Sequence, residues 1–463
     1  MNKRMETQKG HVVVLTYPAQ GHINPLLQFA KRLASKGLKA TLATTPYTVK
    51  SIHAEPAGVQ VEPISDGFDE GGYKQAPSLQ AYMESFKQAG SRTLAELIKK
   101  FSNTDAAVIC IVYDSMLTWA VDVARELNIY SAAFVPVSAT VFSLFRSIHH
   151  GHLHLPVNPQ ARLPSLPGLP PLDFSDLPSF IAEPVTHSAY LTAIMEQQSI
   201  IEENDWVFGN TFEELESELA KAMSSLWPMV MIGPMVPSAY LDQQIEGDTS
   251  YGASLWNPTS DHYLKWLDTK PLNSVIYVSF GSMVSLAANQ VEEIAYGLKA
   301  SNRHFLWIMK DHETEKLSME FLRSIDDSGL ILNWCNQLEV LSHWSIGCYI
   351  THCGWNSILE GLSLGVPMVG VPQWSDQPTN AKFVEDVWRV GKRAKTNEEG
   401  VVSREEIEKC ISKVMVGESS EEIKRSCCQW RESARRAVSK GGSSDKNIDA
   451  FIGALLKKKS KSS

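Results

Sequence analysis

The sequence predicts an α/β fold built from two doubly wound parallel sheets, and a repeated order of elements carries that prediction. Near the N-terminus an apolar strand, a turn and an amphipathic helix follow one another in HVVVLTYP, QGHINP and LLQFAKRLASKG. The same order returns from about residue 274 in SVIYVSF, GSMVS and LAANQVEEIAYGLKASN. Each half then continues with alternating strands and helices, including AAVICIVYD and SMLTWAVDVARELNI in the first half.

A polar, turn-rich segment separates the two halves and sets the domain limits that we predict. Residues 236–262 are weakly periodic and rich in turn residues, which is typical of an interdomain linker. An N-terminal domain then covers 1–235 and a C-terminal domain covers 263–445, followed by a helix and tail at 446–463. The Pro-rich span 156–184 is predicted to be a surface loop of the first domain, because proline disrupts helix interiors and central strands.

The composition argues against nucleic acids and membranes as main partners. The chain of 463 residues has 43 Lys and Arg against 52 Asp and Glu, a net charge of −9, which disfavours anionic partners. The seven cysteines show no CxxC pair and no disulfide framework, which fits a reducing compartment. The polar start MNKRMETQKG and the short run VVVL predict neither a signal peptide nor a membrane span. We therefore expect a cytoplasmic protein with a solvated basic end, KKKSKSS.

The sequence GCYITHCGWNSILEGL predicts an anion-binding turn between a strand and a helix. The β-rich run 348–351 gives way at Gly354 to a helix whose N-cap we expect to be Asn356 or Ser357. Free N–H groups and the positive end of the helix dipole then face the turn, so a diphosphate is held without a cluster of basic side chains. His352 adds a further hydrogen-bond donor.

Polar and aromatic residues on either side of this turn suit the rest of a nucleotide sugar. Trp334 offers a flat face to a nucleobase, although a buried core tryptophan explains it equally well in isolation. Glu360 lies one helical turn after Asn356 and can accept hydrogen bonds from ribose hydroxyls, while its simpler interpretation is a solvated helix charge. Asp376 and Gln377 follow the strand-like MVGVP, and a carboxylate beside an amide can bind adjacent sugar hydroxyls.

Two polar residues of the first half form a candidate acid–base pair. His22 follows the strand in VVVLTYP and Asp114 ends the run VICIVYD, so both lie at carboxyl ends of predicted parallel strands. Taken singly, His22 and Asp114 are each explained as helix caps. As a pair, a neutral imidazole takes a proton from an acceptor hydroxyl, and the carboxylate fixes its tautomer and stabilises the imidazolium.

The stretch from Trp334 to Gln377 resembles, in order and spacing, the donor-binding box of plant family 1 UDP-dependent glycosyltransferases. The segments PAQGHINP and YDSMLTWAVDVA are similar to the catalytic segments of that family, and the resemblance extends from about residue 10 to 455. One departure is Asn336, where Pro or Ser is more usual; we expect it to be neutral. The resemblance implies the GT-B fold, in which two Rossmann-like domains face each other across a cleft and the last helix returns to the first domain.

The same resemblance implies a role for each matching residue. His22 would be the general base and Asp114 its partner in an inverting transfer that needs no metal and no cofactor besides the co-substrate UDP-glucose. The implied UDP contacts are Ser282, Trp334, Cys335, Gln337, His352, Gly354, Asn356, Ser357 and Glu360. The implied hexose contacts are Trp355, Asp376 and Gln377, and a final Gln rather than His implies glucose in preference to galactose.

Two other patterns are discounted as functional sites. The run HHGHLHLP contains His149, His150, His152 and His154, but no acidic partners stand nearby to orient metal ligands. The sequence GLSLG at 361–365 matches the GxSxG nucleophile elbow, yet a helix precedes it and a strand follows, which is the reverse of the elbow. No GxGxxG opens a helix and no P-loop motif occurs.

The sequence therefore predicts a monomeric UDP-glucosyltransferase that forms an O-glucoside on a small lipophilic metabolite. A steroidal or terpenoid hydroxyl is the favoured acceptor; the alternatives are a glucose ester on a carboxylic acid, S-glucosylation of a thiohydroximate, and a UDP-sugar sensor without turnover. The candidate acceptor pocket consists of Met83, Phe142, Phe145 and Phe180, which core packing explains at least as well.

Overall fold

The structure is a computed structural model that describes residues 10–52, 57–102, 104, 106–160, 162–226, 229–253 and 262–462. In these ranges the strands are β1 (His11–Leu15), β2 (Lys39–Thr44), β3 (Val59–Pro63), β4 (Val108–Asp114), β5 (Tyr130–Val135), β6 (Trp206–Gly209), β7 (Val230–Met231), β8 (Val275–Ser279), β9 (His304–Ile308), β10 (Gly329–Leu332), β11 (Ile346–Thr351), β12 (Met368–Gly370) and β13 (Gly391–Arg393).

The α-helices of the same ranges vary from one turn to six. They are α1 (Gln20–Ser35), α2 (Pro46–Val49), α3 (Leu79–Ser102), α4 (Ala120–Glu126), α5 (Ala139–His149), α6 (Ser179–Ala182), α7 (Ser188–Ile200), α8 (Ser217–Leu226), α9 (His262–Asp268), α10 (Ala288–Ala300), α11 (Asp311–Thr314), α12 (Met319–Ser324), α13 (Gln337–Ser342), α14 (Trp355–Leu364), α15 (Gln377–Lys382), α16 (Arg404–Met415), α17 (Gly417–Val438) and α18 (Ser443–Ser462). A π-helical turn at Phe383–Val387 extends α15.

The chain divides into two compact units. Unit 1 consists of Met1–Phe174, Phe180–Leu255 and Arg435–Ser463, and unit 2 consists of Ser175–Ser179 and Trp256–Ala434. The domain limits given by the sequence stay predictions, and residues 254–261 of the predicted linker lie outside the described residues.

Unit 1 contains a seven-stranded sheet in the order β3-β2-β1-β4-β5-β6-β7. All of its strand pairs are parallel. Alternate residues of β1 face opposite sides of the sheet: Val12 and Val14 belong to one apolar cluster, and Val13 and Leu15 to the other. The C-terminal helix α18 completes the first of these clusters, where Phe451 packs edge to face against Phe208 with ring centroids 4.9 Å apart.

Unit 2 contains a six-stranded sheet in the order β10-β9-β8-β11-β12-β13, also parallel throughout. In each sheet, the second and third strands in chain order lie on one side of the first strand, and the later strands lie on its other side. The order reverses between β1 and β4 in unit 1 and between β8 and β11 in unit 2, and such switch points are where open parallel sheets bind ligands. The predicted fold of two doubly wound parallel sheets is confirmed.

Two local predictions are wrong. QGHINP is not a turn, because α1 begins at Gln20 and continues through Pro25, whose missing N–H removes only one bond near the helix start. The Pro-rich span is not wholly a loop of the first domain, because Ser175–Ser179 belongs to unit 2 and the short helix α6 forms inside the span. Among the described residues, no helix is both long and apolar enough to cross a membrane.

Candidate active site

His22 and Asp114 meet at the switch point of unit 1. The His22 Nδ1 atom lies 2.6 Å from Asp114 Oδ2, although the two residues are 92 positions apart in the chain. The Asp114 side chain is fully buried, whereas 27% of the His22 side chain is exposed. The carboxylate is thus shut off from water, and the imidazole remains accessible to a substrate.

The elements on either side hold this pair in place. Asp114 is the last residue of β4, and its Oδ1 atom accepts a hydrogen bond of 3.0 Å from the backbone N–H of Met116. It is not the N-cap of α4, which begins only at Ala120 after Trp119. His22 lies in the first turn of α1, directly after the neighbouring strand β1. With Nδ1–H donated to the carboxylate, Nε2 is the basic atom of the ring.

A group of aromatic side chains extends from His22 through Tyr17, and the sequence did not predict it. The rings of Tyr17 and His22 lie 5.2 Å apart, and Tyr82 packs at right angles against both Tyr17 and Tyr73. The Tyr82 hydroxyl donates a bond of 2.7 Å to the buried carboxylate of Asp66. Tyr17 was detectable, because it follows β1 at the same strand end as His22; the other rings come from distant segments.

The electrostatic surroundings of Tyr17 are unfavourable to an anion. Burial raises the pKa of its phenol well above the ordinary value, and the neighbouring phenols of Tyr190 and Tyr73 and carboxylates of Asp114 and Asp66 raise it further. Of the described groups that shift this pKa, none is a cation. The ionised form of Tyr17 is therefore disfavoured chiefly by burial, and the carboxylates of Asp114 and Asp66 add to that effect.

The four residues predicted to line an acceptor pocket differ in their accessibility. Phe142 and Phe145 are 3% and 5% exposed in α5, and Phe142 belongs to an apolar cluster of the core. Phe180 is also buried and stacks in parallel on Tyr190 with ring centroids 5.1 Å apart. Met83 is half-buried against the same core cluster. Their role in acceptor binding stays a prediction.

At the switch point of unit 2, the turn after β11 leads directly into α14. Gly354 is the N-cap of this helix and makes no side-chain cap, so the prediction of Asn356 or Ser357 as N-cap is wrong. The turn closes earlier than capping preference suggests, because Cys353 adopts a left-handed φ of 65°. Asn356 and Ser357 therefore lie in the first turn of the helix, where backbone N–H groups have no intrahelical acceptor.

Two glycines enclose the His352 imidazole in this turn. A Cβ atom at Gly354 would lie 2.6 Å from His352 Nε2, and one at Gly281 would lie 2.8 Å from the same atom. Part of His352 reaches solvent, but its Nδ1 atom is buried, and the backbone of Ser279 lies close enough to the ring to counter part of the effect of burial on its pKa. Burial lowers the pKa of His352 to about 4, so the ring is neutral at physiological pH. Ser282 follows Gly281 and is half-buried.

A hydrogen-bond network fixes Glu360 on the next turn of α14. The Gln337 amide donates a bond of 2.5 Å to Glu360 Oε2, and its carbonyl oxygen accepts from the hydroxyls of Tyr277 and Tyr349 at 3.1 and 3.3 Å. Glu360 is 4% exposed, so it is a held carboxylate and not a solvated helix charge. Cys335 is buried beside Tyr277, and burial raises the pKa of its thiol to about 12.

The two tryptophans of this region have different surroundings. Trp334 follows β10 and is half-buried, so it is not a core residue. Trp355 is 4% exposed and lies against Trp388, with ring centroids 6.0 Å apart. The first tryptophan retains an accessible surface, whereas the second is almost fully buried, and the contact to the hexose implied for Trp355 stays a prediction.

Asp376 and Gln377 lie at the start of α15, after β12. Gln377 Oε1 accepts hydrogen bonds from the backbone N–H groups of Gln373 and Trp374 at 2.9 and 3.1 Å. Asn380 Nδ2 donates to Asp376 Oδ2 at 2.8 Å and to the carbonyl of Cys353 at 2.9 Å. All residues predicted for the donor site thus belong to unit 2 and to the loops or helices that follow β8, β10, β11 and β12.

The histidine run lies outside these arrangements. Its His150 contacts the guanidinium of Arg146 at 2.6 Å, and burial together with that cation lowers the pKa of His150. Within the described residues no group of three His, Cys, Asp or Glu side chains is placed to hold a metal ion.

The chain matches known proteins over almost its whole length. The family described as UDP-glucoronosyl and UDP-glucosyl transferase matches residues 12–425. UDP-glycosyltransferase 74B1 of Arabidopsis thaliana is 48% identical over 458 residues, which cover 97% of this chain and 98% of that protein. Mogroside I-E synthase of Siraitia grosvenorii is 43% identical, covering 98% of this chain and all of that protein.

A solved structure shares the fold as well. The crystal structure of Os79 from O. sativa in complex with UDP has a TM-score of 0.91 and 38% identity, covering 96% of this chain and 100% of that one. The resemblance noted in the sequence is therefore confirmed at the level of family and fold. The chain belongs to the UDP-glucoronosyl and UDP-glucosyl transferase family and is a UDP-glycosyltransferase.

Proposed function

We propose that this protein is an inverting UDP-glucose-dependent glucosyltransferase that forms an O-glucoside on a hydroxyl of a small lipophilic acceptor. Steroidal and terpenoid alcohols are the favoured acceptor class. The observation that carries the proposal is the bond of 2.6 Å between His22 Nδ1 and the fully buried carboxylate of Asp114. A protein that only bound UDP-glucose would have no use for a carboxylate-oriented base.

The proposed reaction is a single displacement at the anomeric carbon. His22 Nε2 takes the proton of the acceptor hydroxyl while that oxygen attacks the anomeric carbon. The bond between this carbon and the diphosphate oxygen breaks, and UDP leaves with the electron pair. Attack from the face opposite UDP inverts the configuration. Asp114 holds the tautomer of His22 and stabilises the imidazolium that forms.

At the donor, the N-terminus of α14 stabilises the negative charge that develops on the departing diphosphate. The N–H groups of Trp355, Asn356 and Ser357 and the helix dipole favour an anion there, so the proposed reaction uses no metal and no further cofactor. The neutral His352 donates a hydrogen bond in place of a positive charge, and Ser282 adds a hydroxyl from the turn after β8.

The remaining donor roles follow from accessibility. Trp334 offers its exposed face to uracil, and the held carboxylate of Glu360 accepts from ribose hydroxyls. Cys335 is buried, so we assign it a backbone contact only, and Gln337 acts by orienting Glu360. The binding of UDP by Os79, a relative with the same fold, supports this assignment.

The surroundings of Tyr17 favour a neutral acceptor over a carboxylate. The burial and the carboxylates of Asp114 and Asp66 that raise the pKa of Tyr17 also disfavour a second anion placed beside His22. A carboxylic acid is ionised at neutral pH and would meet this unfavourable field, whereas an alcohol would not. A base is also needed only for the alcohol, because a carboxylate has no proton to lose.

The finer expectations on location and assembly belong to the same proposal. We place the protein in the cytosol as a monomer. All seven cysteines are unpaired, and Cys428 alone among them is exposed, which suits a reducing compartment.

Mass spectrometry of products tests the proposal. The purified protein is incubated with UDP-glucose, and in parallel with UDP-galactose, and with a panel of steroids, terpenoids, flavonoids, thiohydroximates and aromatic acids. The expected product is a hexose added to an alcohol from UDP-glucose, lost in the His22→Ala variant. Ester formation that survives in His22→Ala would instead support the carboxylate acceptor. Tight UDP binding with no product from any acceptor would support a sensor.

A further inference from the structure

We infer that Ser179 and Asp176 are positioning residues for the hexose, because they hold the loop that presents Asp376 and Gln377. The inference rests on the proposed role of Asp376 and Gln377 in sugar binding. It assigns a function to a short piece of the Pro-rich span, Ser175–Ser179, which packs inside unit 2.

The loop after β12 uses part of its own polar groups to keep its shape. The carbonyl oxygen of the Gln377 amide is occupied by two backbone N–H groups, those of Gln373 and Trp374. The amide NH₂ is consequently the end that Gln377 offers to a ligand. One carboxylate oxygen of Asp376 is held by Asn380. Both side chains are therefore oriented by the loop, and a shift of its backbone moves both.

Ser375 is the point of strain in this loop. Its φ is 61°, a left-handed conformation that costs a residue with a side chain about 1 kcal/mol or more. Such a conformation persists only where the surroundings hold it. Ser179 supplies that support twice: its backbone N–H donates to the Ser375 carbonyl at 2.9 Å, and its hydroxyl oxygen accepts from the Ser375 N–H at 2.7 Å.

Asp176 fastens the same segment to the other end of the loop. Its backbone carbonyl accepts a bond of 2.6 Å from the hydroxyl of Thr379. Its side chain is 4% exposed and lies 2.5 Å from Arg393 and 3.7 Å from Lys382. A buried carboxylate with two cations is a strong anchor, because removing either side leaves an uncompensated charge. Ser175–Ser179 thus contacts both Ser375 and Thr379, on either side of the two sugar-binding candidates.

The groups proposed to bind the diphosphate and the base are held mainly by other elements. Asn380 of α15 does connect to the turn before α14 through the Cys353 carbonyl, but that bond involves neither Ser179 nor Ser375. The start of α14 follows β11, and Trp334 follows β10. Loss of the Ser179 hydroxyl is therefore expected to disturb recognition of the sugar while leaving recognition of UDP intact. A residue that only stabilised the fold would not produce this separation.

Calorimetric binding to the full chain tests the inference without an acceptor. The dissociation constants of UDP, UDP-glucose and UDP-galactose are measured for wild type, Ser179→Ala, Ser179→Thr and Asp376→Asn. The control is Ser318→Ala, which removes another serine oxygen that accepts a backbone N–H, at 3.1 Å from Phe321, at the start of α12. Melting temperatures are recorded for every variant.

We expect Ser179→Ala to reduce the preference for UDP-glucose over UDP-galactose about fivefold, the effect of one net hydrogen bond. Its UDP dissociation constant stays within about twofold of wild type, and Ser179→Thr restores the preference. Ser318→Ala lowers the melting temperature but not the preference. The inference is wrong if Ser179→Ala and Ser318→Ala show the same preference for UDP-glucose over UDP-galactose. It is also wrong if Ser179→Ala weakens the binding of UDP, UDP-glucose and UDP-galactose equally.

Asp376→Asn separates this inference from the proposal beneath it. If Asp376→Asn changes the sugar preference and Ser179→Ala does not, the positioning role alone is wrong. If Asp376→Asn leaves the preference unchanged, the proposed sugar contact itself is wrong, and the inference is lost with it.

Discussion

The switch points of the two units have the same topology and different chemistry. In unit 1 the reversal between β1 and β4 brings together two ionisable side chains, His22 and Asp114. In unit 2 the reversal between β8 and β11 brings together a helix N-terminus, two glycines and a neutral imidazole. The comparison teaches that the sheet decides where a ligand can bind, and that the residues after each strand decide what happens there.

The two points also differ in which part of the residue acts. At the first, we assign the chemistry to side chains, and α1 begins at an Ala19 N-cap without any side-chain cap. At the second, we assign anion binding to the backbone, which two glycines leave open to a ligand. Gly281 has a φ of 71°, and a Cβ at Gly354 would meet His352, so neither position accepts a larger residue without displacement.

The largest expected effect comes from removing the base of unit 1. His22→Ala should lower the rate of hydroxyl glucosylation by about 10³-fold, within the range usual for general base catalysis, because the imidazole that Asp114 orients is lost. UDP binding, which we assign to unit 2, should not change. Initial rates and calorimetry on the same preparation check both statements.

A histidine that is exposed elsewhere in unit 1 provides the matched control. His154→Ala removes an imidazole from the surface and should leave both the rate and UDP binding at wild-type values. If His22→Ala weakens UDP binding as much as it lowers the rate, the assignment of the base to unit 1 and of UDP binding to unit 2 is wrong.

The next largest expected effect is on UDP binding, when a side chain is added where the backbone of unit 2 approaches the ligand. In Gly354→Ala the new Cβ meets His352 Nε2 at 2.6 Å, and the ring or the helix start must shift. Overpacking of this kind costs about 1–3 kcal/mol, so the UDP dissociation constant should rise about tenfold to a hundredfold. Calorimetric titration of folded protein measures it.

Gly453→Ala is the control for this substitution, because no atom of the described residues lies within 4 Å of a Cβ at that position of α18. It should bind UDP as wild type does. A folded Gly354→Ala protein with unchanged UDP affinity would contradict the assignment of the diphosphate to this turn.

A smaller effect tests the ribose contact. Glu360→Gln keeps the size of the side chain and a hydrogen-bond acceptor for Gln337, but removes the charge. Since a hydrogen bond to a charged group contributes about 1.5–3 kcal/mol, UDP should bind about tenfold more weakly. Binding of 2′-deoxy-UDP should fall less, so the preference for the ribose 2′-hydroxyl should shrink.

The exposed Glu320 of α12 supplies the comparison. Glu320→Gln alters the net charge of the protein equally, and both ligands should bind as they do to wild type. If Glu360→Gln weakens the binding of UDP and of 2′-deoxy-UDP equally, the carboxylate does not contact the 2′-hydroxyl.

Much of this arrangement could be predicted, because buried strands appear in the sequence as short apolar runs whose ends are easy to locate. The run VICIVYD became β4 with Asp114 as its last residue, and SVIYVSF became β8. Since parallel strands end at one edge, His22 and Asp114 could be paired across 92 residues. Their catalytic role stays a prediction.

Features that depend on geometry within a turn or on distant segments could not be predicted. Capping preferences favoured Asn356 or Ser357, but the left-handed Cys353 closes the turn earlier and makes Gly354 the N-cap. Nothing in the Pro-rich span indicates that Ser179 will meet Ser375, 196 residues later. Such contacts follow from the assembled unit and have no local sequence signal.

The smallest expected effect is an absence of change in UDP-glucose binding over a range of pH. Burial lowers the pKa of His352 to about 4, so the ring stays neutral from about pH 8 to about pH 5.5. UDP-glucose has no group that titrates in this interval, and its dissociation constant should therefore remain constant.

Protein stability should respond to the same buried ring, with a sign that the lowered pKa fixes. In the unfolded chain the pKa of His352 is near the ordinary value of 6.5, and in the folded chain it is about 4, so the unfolded state holds more protons between these values. Stability is hence complete above about pH 6.5 and declines as the pH falls toward 4. Calorimetric titration with UDP-glucose at several pH values, with melting temperatures beside it, measures both quantities. Tighter UDP-glucose binding between pH 6.5 and 5.5 would mean that a cationic imidazole holds the diphosphate, and the contrast between a neutral and an ionisable switch point would be lost.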